Sequence, residues 1–312
     1  MNPFRIAVHR YVTFRRMMGF QFTHVQKPLE DFADFLKKEG SDRLTTALSV
    51  KWAKLPQNTL HSYWATRLGM VREFAHYYRA FEPKTEVPPP DLMPYRYRRR
   101  NPHIYSDKDI ERLLLAADTL RPRRGVRKHT YFAFLGLIAV AGFRLNELIL
   151  LDIEDVNFDQ SVLRIRRTKF GKSRLVPVHP TVLTQLRRYG RIRDRLRPRG
   201  GRQSRAFFIS DSGDRLTKSS VRWAFVRMSK KAGLRGPQDR RGPRIHDLRH
   251  TFAVKVMISW YRQGLNVDER MPLLSTYLGH VHPTNTYWYL SSVPELLGLA
   301  GARLEKQMGG KS

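Results

Sequence analysis

The chain has no cysteine in its 312 residues. That absence removes disulfides, thiolate catalysis and cysteine-based zinc sites, and leaves Ser, Thr, Tyr, Lys or a carboxylate as candidates for any covalent nucleophile. Acidic side chains are scarce: 27 Asp and Glu stand against 58 Lys and Arg, for a formal net charge of +31. Self-repulsion of that size is tolerated when a polyanion screens it, and nucleic acid is the polyanion expected. Long hydrophobic runs are missing too. The longest, YFAFLGLIAVAGF at residues 131 to 143, is too short to span a bilayer and reads as a buried helix. The N-terminal MNPFRIAVHRYVTFRRMMGF is repeatedly interrupted by charge and lacks a signal peptide's apolar stretch. Cytoplasmic residence without a membrane partner is the expectation.

The hydrophobic content, 41%, is enough for a sizeable core. Residues 1 to 83 read as a helical domain. PLEDFADFLKKEG places Phe32, Phe35 and Leu36 at helical spacing and stops at Gly40. A second stretch puts Leu60, Trp64, Leu68, Val71 and Phe74 on one apolar face. Residues 84 to 104 are rich in proline and arginine without a hydrophobic period, the composition of an extended basic linker. Ser106 before DKDIERLLLAADTL resembles a capped helix start, and a second domain is placed at residues 105 to 312. Within it VLRIRRTKFGKSRLVPV, residues 162 to 178, has two alternating β-branched runs around a turn and predicts a β-hairpin. A short strand is possible at residues 206 to 209. The expected fold is mainly α with a small β-hairpin or sheet: a helical N-terminal domain followed by a mixed α+β domain.

Four places could carry chemistry. In AGFRLNEL, Arg144 follows the most apolar stretch and is either paired structurally with Glu147 or free to bind an anion. In RIHDLRHTFAV, His246, Arg249 and His250 share one helical face, which suits a phosphate or is a solvated basic surface. In YLGHVHPTNTYWYL, Gly279 ends a helix and presents His280 at the turn. A zinc reading of His246, His250, His280 and His282 is disfavoured because carboxylate and thiolate ligands are lacking and arginines stand nearby. The fourth is Lys169, in the hairpin turn.

The order and spacing of these elements resemble the tyrosine recombinase, or phage integrase, family. Arg144, Lys169, the HDLRH helix, LGH and a tyrosine nine residues after that histidine fall in the family's sequence. The resemblance covers about residues 105 to 292; over the first hundred residues it is one of architecture, where the family carries a DNA-binding domain that closes on DNA with the catalytic one. It implies that a tyrosine attacks a DNA phosphate to give a 3′-phosphotyrosyl link and a free 5′-hydroxyl, with no ATP, metal or other cofactor. Arg144, Arg249 and His280 would stabilise the transition state, Lys169 would be the general acid, and His246 would assist proton transfer or hold the phosphate. Tyr289 stands at the family's interval from His280, whereas Tyr287, about 200° around a helix, would pack on the other side. Glu147 would orient Arg144, and His250 would brace its helix. The implied partners are double-stranded DNA and a homo- or hetero-tetramer assembled on paired sites, during integration, excision or transposition of a mobile element. A type IB topoisomerase and a non-catalytic DNA-binding accessory protein are the alternatives.

Overall fold

The computed structural model describes residues 2 to 93, 101 to 121, 125 to 166, 173 to 198, 204 to 239, 242 to 280, 282 and 284 to 309. The chain divides into two compact units, Met1–Arg100 and Asn101–Ser312. Among the described residues no helix is long and apolar enough to cross a membrane.

The first unit is built from α1 (Pro3–Met17), α2 (Gln26–Lys38), α3 (Thr46–Lys54) and α4 (His61–Tyr78). Asn2 caps α1 by accepting from the Phe4 amide, with Pro3 in the first turn where no amide is missed. Gly40 takes a φ of +65° just beyond α2, which ends the helix where the sequence places its stop. Phe32, Leu36, Trp52, Leu68, Val71 and Phe74 meet in one core. Leu60 does not join them: it lies immediately before α4 and is 71% exposed. The chain after α4 stays against this unit. Met93 is buried in its core, and Arg72 donates to the carbonyls of Pro88 and Pro89.

The second unit is mainly helical with one small sheet. Ser106 and Asp109 form a reciprocal capping box that starts α5 (Asp107–Leu115). The apolar run becomes α6 (Arg127–Ala141), whose Tyr131, Phe134, Leu135, Leu137, Ile138 and Ala141 are buried. Each of the larger of these contributes about 2 kcal/mol of burial, so α6 is the axis of the unit's core. After the short α7 (Leu145–Ile149), β1 (Val156–Asn157), β2 (Val162–Ile165) and β3 (Arg174–Pro177) pair antiparallel in that order. Leu163 faces Val176 across β2 and β3, as the hairpin reading requires, and the two residues of β1 add a third strand. Residues 206 to 209 make only single bridges, Asp152 to Ala206 and Ile209 to Arg215, instead of a strand. Their aromatic pair, Phe207 and Phe208, is buried against Tyr189.

Further helices follow: α8 (Pro180–Leu196), α9 (Lys218–Lys231), α10 (Ile245–Arg262), α11 (Val267–Leu278), α12 (Thr284–Ser292) and α13 (Pro294–Gly309). A second cluster of this unit lies beneath α10 to α13 and holds Val254, Met257, Leu274, Leu278, Tyr289 and Leu296. The ends of α6 and α11 and the first turns of α10 come together between the two clusters.

Candidate active site

The site starts from two glycines. Gly142 and Gly279 close α6 and α11 in the left-handed conformation, at φ +64° and +67°. Each turns the chain so that terminal carbonyls point inward, where the negative end of the helix dipole attracts a cation. Arg249, on α10, uses both carbonyl sets: Nη1 donates to Gly142 O at 2.6 Å and Nη2 to Leu278 O at 2.7 Å. Arg144 donates from Nη2 to Gly279 O at 2.6 Å. A side chain at either glycine would displace a neighbour. A Cβ on Gly142 would come within 2.5 Å of the Phe252 ring, and one on Gly279 within 2.8 Å of Arg174 Nη1.

Glu147 supplies negative charge beside these cations. Arg144 Nη1 donates to its Oε1 at 2.9 Å, and Arg174 grips both carboxylate oxygens, at 2.9 and 3.0 Å. Burial alone would raise the Glu147 pKa, but the Arg174 hydrogen bonds and charge, with the Arg144 amide and Arg249, hold it below the usual carboxylate value. Arg249 is 1% exposed. Burial, and next the Arg144 charge, bring it down to about 9, so it is still cationic at neutral pH. Its Nε is buried without a hydrogen-bond partner among the described residues. Two guanidiniums held close by backbone carbonyls, with one carboxylate between them and the strand, form a preorganised receptor for a phosphoryl oxygen.

The imidazoles line the same region. His246 and His250 are one turn apart on α10 with ring centroids 4.4 Å apart. Desolvation by the surrounding protein, then the Arg249 charge, lower His246 to about 4 although the residue as a whole is exposed, so its ring is neutral at physiological pH. His280 shares a hydrogen bond with Thr286 through Nδ1 at 2.7 Å. On α12 the two tyrosines diverge: Tyr287 is 39% exposed and Tyr289 is 1% exposed. The Tyr289 hydroxyl meets Nδ1 of His250 at 2.9 Å, and its ring centroid lies 6.5 Å from that of His280.

Thus Arg144, Arg249, His246, His280 and Tyr289 converge within the second unit, while Lys169 lies outside the described residues. Glu147 sits against Arg144 as its spacing suggests. His250 does more than brace α10, since it holds the Tyr289 hydroxyl. Arg174 and Thr286 were missed by sequence reasoning. Arg174 heads the second run of the hairpin, but nothing local says that it reaches a carboxylate 27 residues away. Among the described residues, no three His, Asp or Glu side chains gather as metal ligands.

Known proteins share both sequence and fold with this chain. A sequence model of the Phage integrase family matches residues 105–295. The protein provisionally named integrase/recombinase y4rB of Sinorhizobium fredii is 43% identical over 310 residues, 98% of each chain. Tyrosine recombinase XerA of Pyrococcus horikoshii is 26% identical over 284 residues, covering 84% of this chain and 87% of that one. In fold, a solved structure of the Tn1549 transposon integrase in complex with transposon right-end DNA matches with a TM-score of 0.67 at 17% identity, over 97% of this chain and 98% of that one. The motifs, the mainly helical fold with its three-stranded sheet, and these likenesses agree: the chain belongs to the phage integrase family, the tyrosine recombinases.

Proposed function

We propose that this protein is a site-specific DNA recombinase that cleaves and rejoins double-stranded DNA during integration, excision or transposition of a mobile element. Residues 1 to 83 serve as the core DNA-binding domain, 84 to 104 as the basic linker and 105 to 312 as the catalytic domain. The reaction takes place in the cytoplasm on paired sites held by a homo- or hetero-tetramer.

In cleavage, the Tyr289 oxygen attacks a backbone phosphorus, a new P–O bond to tyrosine forms, and the bond to the 5′ oxygen breaks. Arg144, Arg249 and His280 hold the charge that grows on the non-bridging oxygens. Lys169 gives a proton to the departing 5′ oxygen, and His246, neutral in the free protein, assists removal of the tyrosine proton or holds the phosphate. The bond energy is kept in the phosphotyrosine, so rejoining is the same reaction run backwards with a 5′-hydroxyl as nucleophile.

The observation that carries this reading is the fixing of Arg144 and Arg249 by the carbonyls of Gly279, Gly142 and Leu278, in the same cluster as Tyr289. Recovery and sequencing of DNA covalently attached to the protein in cells tests it. The expected result is a 3′ attachment at a defined site that Tyr287→Phe keeps and Tyr289→Phe abolishes. Adduct formation by Tyr289→Phe overturns the assignment of the nucleophile. Relaxation of supercoils at no particular site, without exchange between sites, makes the enzyme a topoisomerase instead.

A further inference from the structure

α8 carries a second arginine surface that the catalytic chemistry does not use. Arg187, Arg191 and Arg195 recur every four residues, about 6 Å apart along the helix axis, with Arg188 beside them, and all four are exposed. They share one open face of α8 with Thr184 and Ile192. Several arginines of this unit meet carboxylates: Arg127 meets Asp211, Arg215 meets Asp152 and Arg174 meets Glu147. On α8, among the described residues, the ion pair joins Arg193 to Asp194. The four outward arginines have no carboxylate partner among the described residues. Arg187 is the one with a further hold, on the Phe158 carbonyl and ring.

This arrangement weakens the helix when nothing is bound, because like charges four residues apart repel. The neighbouring crevice feels the same field. His129 lies in it with Lys128 and Arg188, and its pKa is lowered first by burial and then by Lys128, with Arg188 and Arg195 adding to the effect against Asp118. The surface is remote from the catalytic cluster. α8 packs beside the beginning of α6, where Tyr189 bonds Thr130, whereas Arg249 is anchored at Gly142, beyond the other end. From His129 to Gly142 is about 20 Å along α6.

We propose that the Arg187, Arg188, Arg191 and Arg195 face of α8 is a second DNA-binding surface, which grips the phosphate backbone of a duplex segment other than the one at the catalytic cluster. The inference rests on the reading that DNA is the substrate. Duplex DNA fits because it presents about one charge per 1.7 Å of axis, so the roughly 12 Å stripe spans several phosphates that guanidinium forks recognise without reading bases. Holding a second segment would raise its local concentration near the first and favour the pairing of distant sites.

The test uses the full chain and random-sequence duplexes of about 30 base pairs, long enough for non-specific phosphate contacts. One duplex is fixed to beads, the protein is added, and capture of a second, fluorescent duplex is measured. Four contacts predict that this capture weakens about a hundredfold between about 50 and 200 mM salt. Changing Arg187, Arg188, Arg191 and Arg195 together to Ala should leave binding to the bead-held duplex within about twofold and reduce second-duplex capture by about tenfold or more. Changing all four to Lys, which keeps the charge, should restore most of the capture. Unchanged capture by the four-alanine variant overturns the proposal while leaving the recombinase reading intact. If the unaltered protein binds no duplex at all, both fail. If a double-stranded RNA of equal length displaces the second duplex at lower concentration than DNA does, the partner is not DNA and the proposal fails.

Discussion

The Tyr289 hydroxyl lies 2.9 Å from Nδ1 of His250, and the tyrosine ring is 1% exposed. In the free protein the proposed nucleophile is therefore shielded from solvent, while Tyr287, two residues earlier, is open to it. Nitration of the free protein should modify Tyr287 and spare Tyr289, as read by peptide mass mapping. Binding of cognate DNA should make Tyr289 reactive if the attack requires α12 to shift. Equal modification of both tyrosines without DNA would contradict the burial. His250→Phe should keep the ring packing and lose the hydrogen bond, at a cost of about 1 kcal/mol in chemical denaturation.

Gly279→Ala is expected to damage the site more than the fold. Its φ of +67° strains any other residue, and a Cβ there comes within 3.2 Å of Arg144 Nη1 as well as close to Arg174. A stability loss of about 1 kcal/mol is expected, with cleavage slowed by about 10²-fold through misplacement of Arg144. Single-turnover cleavage measured beside a denaturant midpoint separates the two effects.

Glu147→Gln should destabilise by about 2–4 kcal/mol, since it leaves Arg174 facing an uncharged amide at a buried position; the partial exposure of Arg144 favours the lower figure. The pH dependence follows from the lowered pKa of Glu147. Because the carboxyl releases its proton more readily folded than unfolded, its contribution is complete above the unfolded value, about 4.3. It is lost as pH falls through the lower folded value. Thermal melts of the parent below pH 5 should show a decline that Glu147→Gln flattens.

His246 is depressed to about 4 in the free protein. Its folded form resists protonation, so stability from this group is full above the unfolded value of about 6.5 and falls as the pH drops toward 4. An NMR titration of the free protein should find the His246 ring neutral at pH 6. Titration near 6.5 would disprove the depression. A bound phosphate should raise the value.

Lys169→Ala should slow cleavage by about 10² to 10⁴-fold if the lysine protonates the departing 5′ oxygen. Replacing that oxygen with sulfur supplies a leaving group that needs no proton, so the variant should then match the parent. Persistent slowness on the sulfur substrate would give Lys169 a binding role.

Local features were the ones visible in the sequence. The capping box at Ser106, the stop of α2 near Gly40 and the left-handed turn at Gly279 depend on residues a few positions apart, and the pairing of β2 with β3 joins residues at most 15 apart. The shared face of His246, Arg249 and His250 was visible for the same reason. What holds these groups was not. Arg249 finds its acceptors 107 and 29 residues away, and Tyr289 meets His250 across 39. Carbonyl acceptors carry no side-chain signature, so the chain can reveal which arginine is used without revealing what aims it. The two-residue β1 is too short to show a period.

That main-chain anchoring limits how the site could be redesigned. Since Arg249 takes its bearing from the last carbonyls of two helices, exchanging neighbouring side chains would leave its aim largely intact. Removing one residue from α6 would not: the Gly142 carbonyl would swing by about 100° and retreat by about 1.5 Å. The spacing of the arginine cluster is set by the number of residues in a buried helix.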